Sequence, residues 1–120
     1  MDKGEIEQDF HFLKNADGVL ALLVYGSKVE GKSHERSDID ICIVAPSKEP
    51  LTIMKKVWRN VNLESNSYDV HTFKQLPLKV KKGIIDQHEL IWCRYYAELQ
   101  LYFHHFRKIW NDQSKARGVA

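Results

Sequence analysis

Two apolar runs separated by a polar loop constrain the fold of this 120-residue chain more than any other feature. Residues 19–25 and 39–45 are apolar apart from Asp40. Runs of this length, bounded by turn residues, are typical of buried β-strands. Because successive side chains of a strand point to opposite faces, Asp38 and Asp40 are predicted to share one face. The sequence therefore predicts a sheet with two carboxylates at its rim.

These two carboxylates favour a bound cation. At a spacing of about 6–7 Å and an effective dielectric near 20, their repulsion is about 2–3 kcal/mol. Mg²⁺ suits such an all-oxygen pair. Gly26 lacks a Cβ and lets the backbone approach a ligand, and Ser27 is expected to cap a short helical turn that faces a phosphate. Lys28 would assist as a point charge. The combination points to nucleotidyl transfer.

A glycine–serine pair, ten residues and an Asp-x-Asp pair, together with Gly31 and Ser37, resemble the minimal nucleotidyltransferases of the DNA polymerase beta superfamily. The resemblance covers the strand–loop–strand core well and the rest of the chain more loosely. It implies a small α/β (α+β) domain with a mixed sheet and helices mainly on one face. It also implies that two Mg²⁺ ions assist transfer of a nucleoside monophosphate, most simply AMP from ATP, to a hydroxyl acceptor.

The resemblance further implies a third carboxylate on a later strand. Residues 68–73 alternate as a strand does, with Asp69 and His71 on one face. Asp69 fits the third position, although an edge-strand aspartate that faces water stays an alternative. Glu64 and Asp86 are weaker substitutes. The expected catalytic and metal-binding residues are Asp38, Asp40 and Asp69.

The remaining periodicity predicts helices and one further strand. Helices are expected at 4–15, 51–61 and 94–111, a short helix or turn at 74–82, and a last strand at 90–93. The second helix is expected to turn an apolar stripe toward the core, formed by Leu51, Met54, Val57, Trp58 and Val61. The last helix is unusually aromatic, which leaves core packing and use as an interface both open.

Composition is that of an ordinary globular chain. Residues 1–120 are expected to form one domain, with residues 113–120 as a frayed tail. Cys42 and Cys93 lie in apolar runs and are expected to be buried free thiols. No apolar run reaches the length of a membrane span and no secretory leader opens the chain, so a cytoplasmic protein is expected. The formal charge of +2 disfavours nucleic acid as a partner.

The resemblance implies a partner-dependent role. Many such domains pair with a small helical HEPN protein, and some are antitoxins that adenylylate a tyrosine of a HEPN toxin. Homo-oligomerisation through the aromatic helix is a further possibility. The alternative function is a non-catalytic or vestigial nucleotide-binding module that neutralises its partner by binding. Glu30 bears on this alternative, because many relatives have a basic residue at this position.

Overall fold

The computed structural model describes residues 1–31 and 37–116. The strands in these residues are Ala21–Tyr25 (β1), Ile39–Val44 (β2), Tyr68–Thr72 (β3) and Glu89–Cys93 (β4). The α-helices are Lys3–Asp9 (α1), Ser27–Glu30 (α2), Pro50–Asn60 (α3), Leu78–Asp86 (α4) and Tyr96–Ala116 (α5). Two short 3₁₀ helices lie at His11–Asn15 and Phe73–Gln75. Most of the predicted polar loop at 32–37 lies outside the described residues.

The strands form a mixed sheet in the order β3-β2-β1-β4, which confirms the predicted mixed sheet. β1 runs antiparallel to β2 and to β4, whereas β2 and β3 are parallel and are connected through α3. Because of these directions, the end of β1 and the starts of β2 and β3 lie side by side, at the edge of the sheet formed by the strand ends. Asp40 lies between Tyr25 and Asp69 at this edge, since it pairs with both.

Helices cover both faces of the sheet rather than mainly one. Leu22 and Ile43 pack in a buried cluster with α1 and α3, whereas Leu23 and Cys42 pack in a second cluster with α4 and α5. An unbroken apolar run supplies apolar side chains to both faces, because successive residues alternate. Asp40 shares a strand face with Cys42, so the predicted site lies on the face that α4 and α5 cover.

The edge strand β3 shows the same alternation with one polar face. Tyr68, Val70 and Thr72 are buried, whereas Asp69 is exposed and His71 is half-buried. The apolar residues pack with α1 and α3, so the polar pair faces the opposite side. The hydrophobic pattern therefore sets which face Asp69 occupies.

The predicted N-terminal helix is interrupted. α1 ends at Asp9, and the 3₁₀ helix follows after Phe10, whose N–H donates to the Ile6 carbonyl oxygen at 3.1 Å. The Asp2 carboxylate caps α1 by accepting from the Glu5 N–H at 3.2 Å. Ile6, Phe10 and Leu13 of this region are buried. A change of helix type thus keeps these side chains on the core after the break.

The predicted core stripe of α3 is wrong at two positions. Ile53 and Val57 are buried, whereas Leu51 is 55% exposed and Trp58 is 57% exposed. Trp58 lies about 100° around the helix from Val57, so a face centred on Val57 and Ile53 excludes it. Helical spacing alone could not decide which apolar residues form the centre of the buried face.

The last helix is longer than predicted and packs aromatic rings on the sheet. Phe103 is fully buried, and its ring centroid lies 5.5 Å from that of Phe73. The helix continues through Ala116, beyond residue 113 where the sequence predicts fraying, and residues 117–120 lie outside the described part. Residues 113–116 contain good helix formers and no glycine or proline. The exposed large apolar side chains of α5 include Tyr96 and Leu101.

Both cysteines are free, with Cys42 buried and Cys93 partly buried. In the described part of the chain, none of the helices combines the length and apolar character needed to cross a membrane.

Candidate functional site

The bend after β1 is formed by Gly26, whose backbone lies at φ 77° and ψ −150°. This conformation is essentially restricted to glycine. A Cβ on Gly26 would also overlap the Oδ2 atom of Asp40. The Gly26 carbonyl oxygen accepts hydrogen bonds from the N–H groups of Val29 and Glu30, both at 3.0 Å, and these bonds start α2. Gly26 therefore allows the bend to lie directly against an acidic side chain.

Ser27 and Lys28 are the first two residues of α2 and are half-buried. The expectation that Ser27 caps this helix is wrong, because Gly26 occupies the cap position. Side-chain capping plays no part at this end of the four-residue helix, all of which is described. Gly31, at φ 74°, ends it in the left-handed conformation. Both predicted phosphate-binding residues thus follow the bend directly, at the edge of the sheet that includes Asp40.

Asp40 and Asp69 are the closest pair among the predicted metal ligands. They are direct neighbours across the parallel β2–β3 ladder. Burial raises the pKa of the Asp40 carboxyl, and the charge of Asp69 and a hydrogen bond with it raise this pKa further. When two neighbouring carboxylates are both ionised, their repulsion raises the free energy of the folded chain. The pair therefore has the electrostatic character of a site that a divalent cation would stabilise.

Asp38 is less closely associated with this pair. It is exposed and precedes β2, so strand pairing does not hold its backbone. Its charge makes the smallest contribution to the raised pKa of Asp40. Within residues 1–31 and 37–116, no three acidic, histidine or cysteine side chains are close enough together to hold a metal ion. The structure thus brings together two of the three predicted ligands.

The donor set nevertheless fits Mg²⁺. Asp40 and Asp69 supply carboxylate oxygens, the ligand type that this ion prefers. Beside them, the Gly26 backbone leaves room that a Cβ would fill. The two carboxylates and the glycine bend are therefore compatible with a metal-bound triphosphate.

Two neighbours of the acidic pair received no role in the sequence analysis. His71 Nε2 lies 3.0 Å from Asp69 Oδ1. Tyr25 pairs with Asp40 across β1 and β2, and its pKa is raised by burial first and then by the negative charges of Asp40 and Asp69. Strand parity predicts that His71 shares a face with Asp69, and the position of Tyr25 before the glycine predicts its place at the sheet edge. No motif identifies either residue as functional.

The two substitute carboxylates lie elsewhere. Glu64 is exposed in the turn before β3, and Asp86 forms an ion pair with Lys82 within α4. Asp69, rather than either substitute, is the residue that β3 places opposite Asp40. Two lysines of this region also have local partners: Lys82 pairs with Asp86, and Lys81 Nζ lies 4.6 Å from the centroid of the Phe106 ring.

A cavity of about 680 Å³ opens at the opposite end of β1 from the acidic pair, between residues 14–20 and the start of α5. Arg94 lines it and donates from Nε to the Val19 carbonyl oxygen and from Nη2 to the Lys14 carbonyl oxygen, both at 2.9 Å. Arg94 thus joins β4 to the N-terminal segment. The cavity is separate from the predicted site.

Most of the chain matches one known protein family. The family model described as "Polymerase beta, Nucleotidyltransferase" matches residues 7–96, which include every predicted site residue. The chain belongs to this nucleotidyltransferase family. The resemblance inferred from the glycine–serine and Asp-x-Asp pairs is confirmed.

Individual proteins similar to this nucleotidyltransferase agree with the family. A Methanocaldococcus jannaschii protein named "Putative protein adenylyltransferase MJ1547" is 39% identical over 98 residues, which cover 81% of this chain and 74% of that protein. A chain of a toxin–antitoxin complex with AMP-PNP has a TM-score of 0.76 and 14% identity, over 98% of this chain and 94% of the other. The structure of a tri-AMPylated Shewanella oneidensis HEPN toxin in complex with an MNT antitoxin contains a chain with a TM-score of 0.68 and 12% identity. This match covers 97% of this chain and 89% of the other. The structural similarities show a shared fold.

Proposed function

We propose that this nucleotidyltransferase transfers AMP from ATP to a hydroxyl acceptor in a reaction that requires two Mg²⁺ ions. Asp40 and Asp69 hold the ions, and Asp38 joins them when the ions bind. The residues that bind the triphosphate are Gly26, Ser27 and Lys28. The observation that carries the proposal is the contact between the glycine bend and the Asp40 carboxylate, directly beside Asp69.

In the proposed reaction, the acceptor oxygen attacks the α-phosphorus of ATP, a new P–O bond forms, and pyrophosphate leaves. When bound, the Mg²⁺ ions neutralise charge on the attacking and departing oxygens. A carboxylate oxygen of Asp69 accepts the proton of the attacking hydroxyl. Tyr25 remains a neutral phenol beside the pair, because burial and the nearby negative charges raise its pKa. It therefore adds no further negative charge to the phosphate site.

Two similar proteins support AMP as the transferred group and a protein as the acceptor. The M. jannaschii relative has the name of a protein adenylyltransferase, and the S. oneidensis HEPN toxin is described as tri-AMPylated in complex with an MNT antitoxin. We infer that the acceptor is a tyrosine hydroxyl on a small helical HEPN-type partner. In this proposal the chain acts as the antitoxin in the cytoplasm, where ATP is available.

Labelled ATP tests the proposal. The chain is incubated with Mg²⁺, a co-expressed HEPN-type protein and ATP labelled at either the α- or the γ-phosphate. Label from the α-phosphate on a tyrosine of the partner, with none from the γ-phosphate, is the expected result. Asp40→Asn should abolish labelling. The matched control is Asp17→Asn, because Asp17 is an exposed aspartate paired with Lys48 at 3.3 Å.

Retained transfer by a folded Asp40→Asn protein would contradict the assignment. Label on RNA or on a small molecule would contradict the proposed acceptor but not the reaction. The position of Asp38 outside the close pair and the acidic Glu30 favour a second candidate, a module that binds its partner without catalysis. The labelling assay separates the two, because a module that only binds its partner leaves that partner without label from the α-phosphate.

A further inference from the structure

The Asp69 carboxylate has a close partner on its own strand. His71 Nε2 lies 3.0 Å from Asp69 Oδ1, and the two side chains are 37% and 50% exposed. Residues two apart on a strand point to the same face, about 6–7 Å apart along it. The imidazole spans this separation. It approaches the carboxylate from the C-terminal end of β3, on the side where Phe73 follows.

Asp69 therefore lies between the His71 imidazole and a like charge. Asp40 is directly across the ladder, and His71 is two residues further along the same strand. The charge of Asp69 and its hydrogen bond with Asp40 both raise the Asp40 pKa, whereas the His71 charge lowers it. Repulsion by Asp40 favours rotation of the Asp69 carboxylate toward water, since the Asp69 side chain is 50% exposed. The contact of one Asp69 oxygen with His71 limits that rotation.

Residues next to His71 on β2 and after β3 are buried. Cys42, its neighbour across the ladder, is completely buried, and Phe73 packs in the core two residues later. The Tyr102 ring of α5 packs against Phe73, with its centroid 5.6 Å from that of the Phe73 ring. These buried neighbours hold the backbone of His71 in place, so only its side chain has to be ordered to reach Asp69.

We propose that His71 is a positioning residue for the divalent-cation site, whose Nε2–H holds the Asp69 carboxylate beside Asp40 for metal binding. This inference rests on the proposed function of that site. Carboxylates that bind metals are commonly held by a hydrogen-bond donor, and loss of such a donor typically weakens metal affinity by about 10–100-fold. His71 is not itself assigned as a ligand, because no complete three-ligand site forms in the parts of the chain that are described.

Mn²⁺ binding to the full chain tests the role without relying on turnover. The concentration of free Mn²⁺ is measured by electron paramagnetic resonance for wild type, His71→Leu, His71→Gln and Asp69→Asn. We expect His71→Leu to bind Mn²⁺ about 10-fold more weakly. His71→Gln should keep most of the affinity, because its amide nitrogen reaches the position of Nε2. His104→Leu, at an exposed position of α5, is the matched control and should bind as wild type does.

Transfer activity as a function of Mg²⁺ concentration gives a second measurement. His71→Leu should need more Mg²⁺ for half-maximal activity and should recover most of the maximal rate at saturating Mg²⁺. Circular dichroism confirms that each variant is folded. This shift and the rescue by glutamine support positioning, since a purely structural defect would not respond to added metal.

The possible failures are distinguishable. If His71→Leu binds Mn²⁺ as tightly as wild type, the positioning role is wrong and the proposed function stands. If glutamine and leucine weaken binding equally, the donor is not the cause and the inference is also wrong. If wild type and Asp69→Asn bind Mn²⁺ equally, the proposed metal site is itself wrong, and the inference fails with it.

Discussion

Replacement of Asp40 by asparagine should abolish transfer yet stabilise the metal-free protein. Neighbouring strands lie about 4.8 Å apart, and two charges about 5 Å apart repel by about 3 kcal/mol at a dielectric of 20 but by about 1 kcal/mol in water. The Asp69 side chain is 50% exposed, so the lower value applies. Asparagine is nearly isosteric and can donate to Asp69. We expect the free energy of unfolding to rise by about 1 kcal/mol at pH 7.

The effect should depend on pH with a defined sign. Burial and Asp69 raise the pKa of Asp40 in the folded chain above its ordinary value. As pH rises through the range between these two pKa values, the folded chain binds more protons than the unfolded chain, so wild-type stability falls. Asp40→Asn lacks this loss. The difference between the proteins should therefore be full at pH 7 and disappear below the ordinary carboxyl range, near about pH 4.

Urea unfolding followed by tryptophan fluorescence, in EDTA at low ionic strength, measures the effect. The midpoint of thermal unfolding should rise by about 3–5 °C. Mg-ATP should stabilise wild type but not Asp40→Asn. Asp17→Asn, which removes an exposed charge, should change stability by less than about 0.5 kcal/mol. An Asp40→Asn protein less stable than wild type in EDTA at pH 7 would refute the reasoning, because repulsion would then not dominate at this pair.

Three further substitutions test other contacts. Gly26→Ala should lower the free energy of unfolding by about 2 kcal/mol, because it strains the backbone. It should also eliminate Mg-ATP binding in calorimetry, because its Cβ would overlap Asp40. Unchanged binding would contradict the bend geometry. Phe103→Ala should destabilise by about 3–5 kcal/mol in urea, because its ring is fully buried; a loss below about 1 kcal/mol would show that α5 is not part of the core. Tyr68→Phe should lower the free energy of unfolding by about 1 kcal/mol in the same assay, because it removes the hydrogen bond to Asp9 at 2.6 Å. Equal stability of the two proteins would show that this hydrogen bond does not stabilise the fold.

Much of the sheet and the acidic pair could be predicted from the sequence. β1 and β2 are unbroken apolar runs, and strand parity together with the Asp-x-Asp spacing identifies Asp40 as a residue of the sheet edge. The cover of both faces by helices was implicit in those same runs, since residues apolar at every position have two faces to bury. The exposure of Trp58 could not be predicted, because helical spacing describes a stripe but not its centre.

Side-chain interactions at the site were harder to predict. The contact of Gly26 with Asp40 depends on a backbone conformation that spacing cannot show. The contact between His71 and Asp69 depends on rotamers, and strand parity predicts only that the two share a face. For Ser27 the sequence predicts an interaction that the structure lacks. Serine is a common cap residue, but here Gly26 occupies the cap position of α2.

The alternating burial of β3 has a consequence for the fidelity of the site. A slip of β3 by one residue would turn Asp69 to the wrong face, and the same slip would expose Tyr68 and Val70 to water. Burial of two such side chains is worth about 3–6 kcal/mol, a large part of the stability of a domain this size. Errors of assembly at the acidic pair are therefore filtered by the hydrophobic core, and a chain that has folded at all has its carboxylates on the correct side.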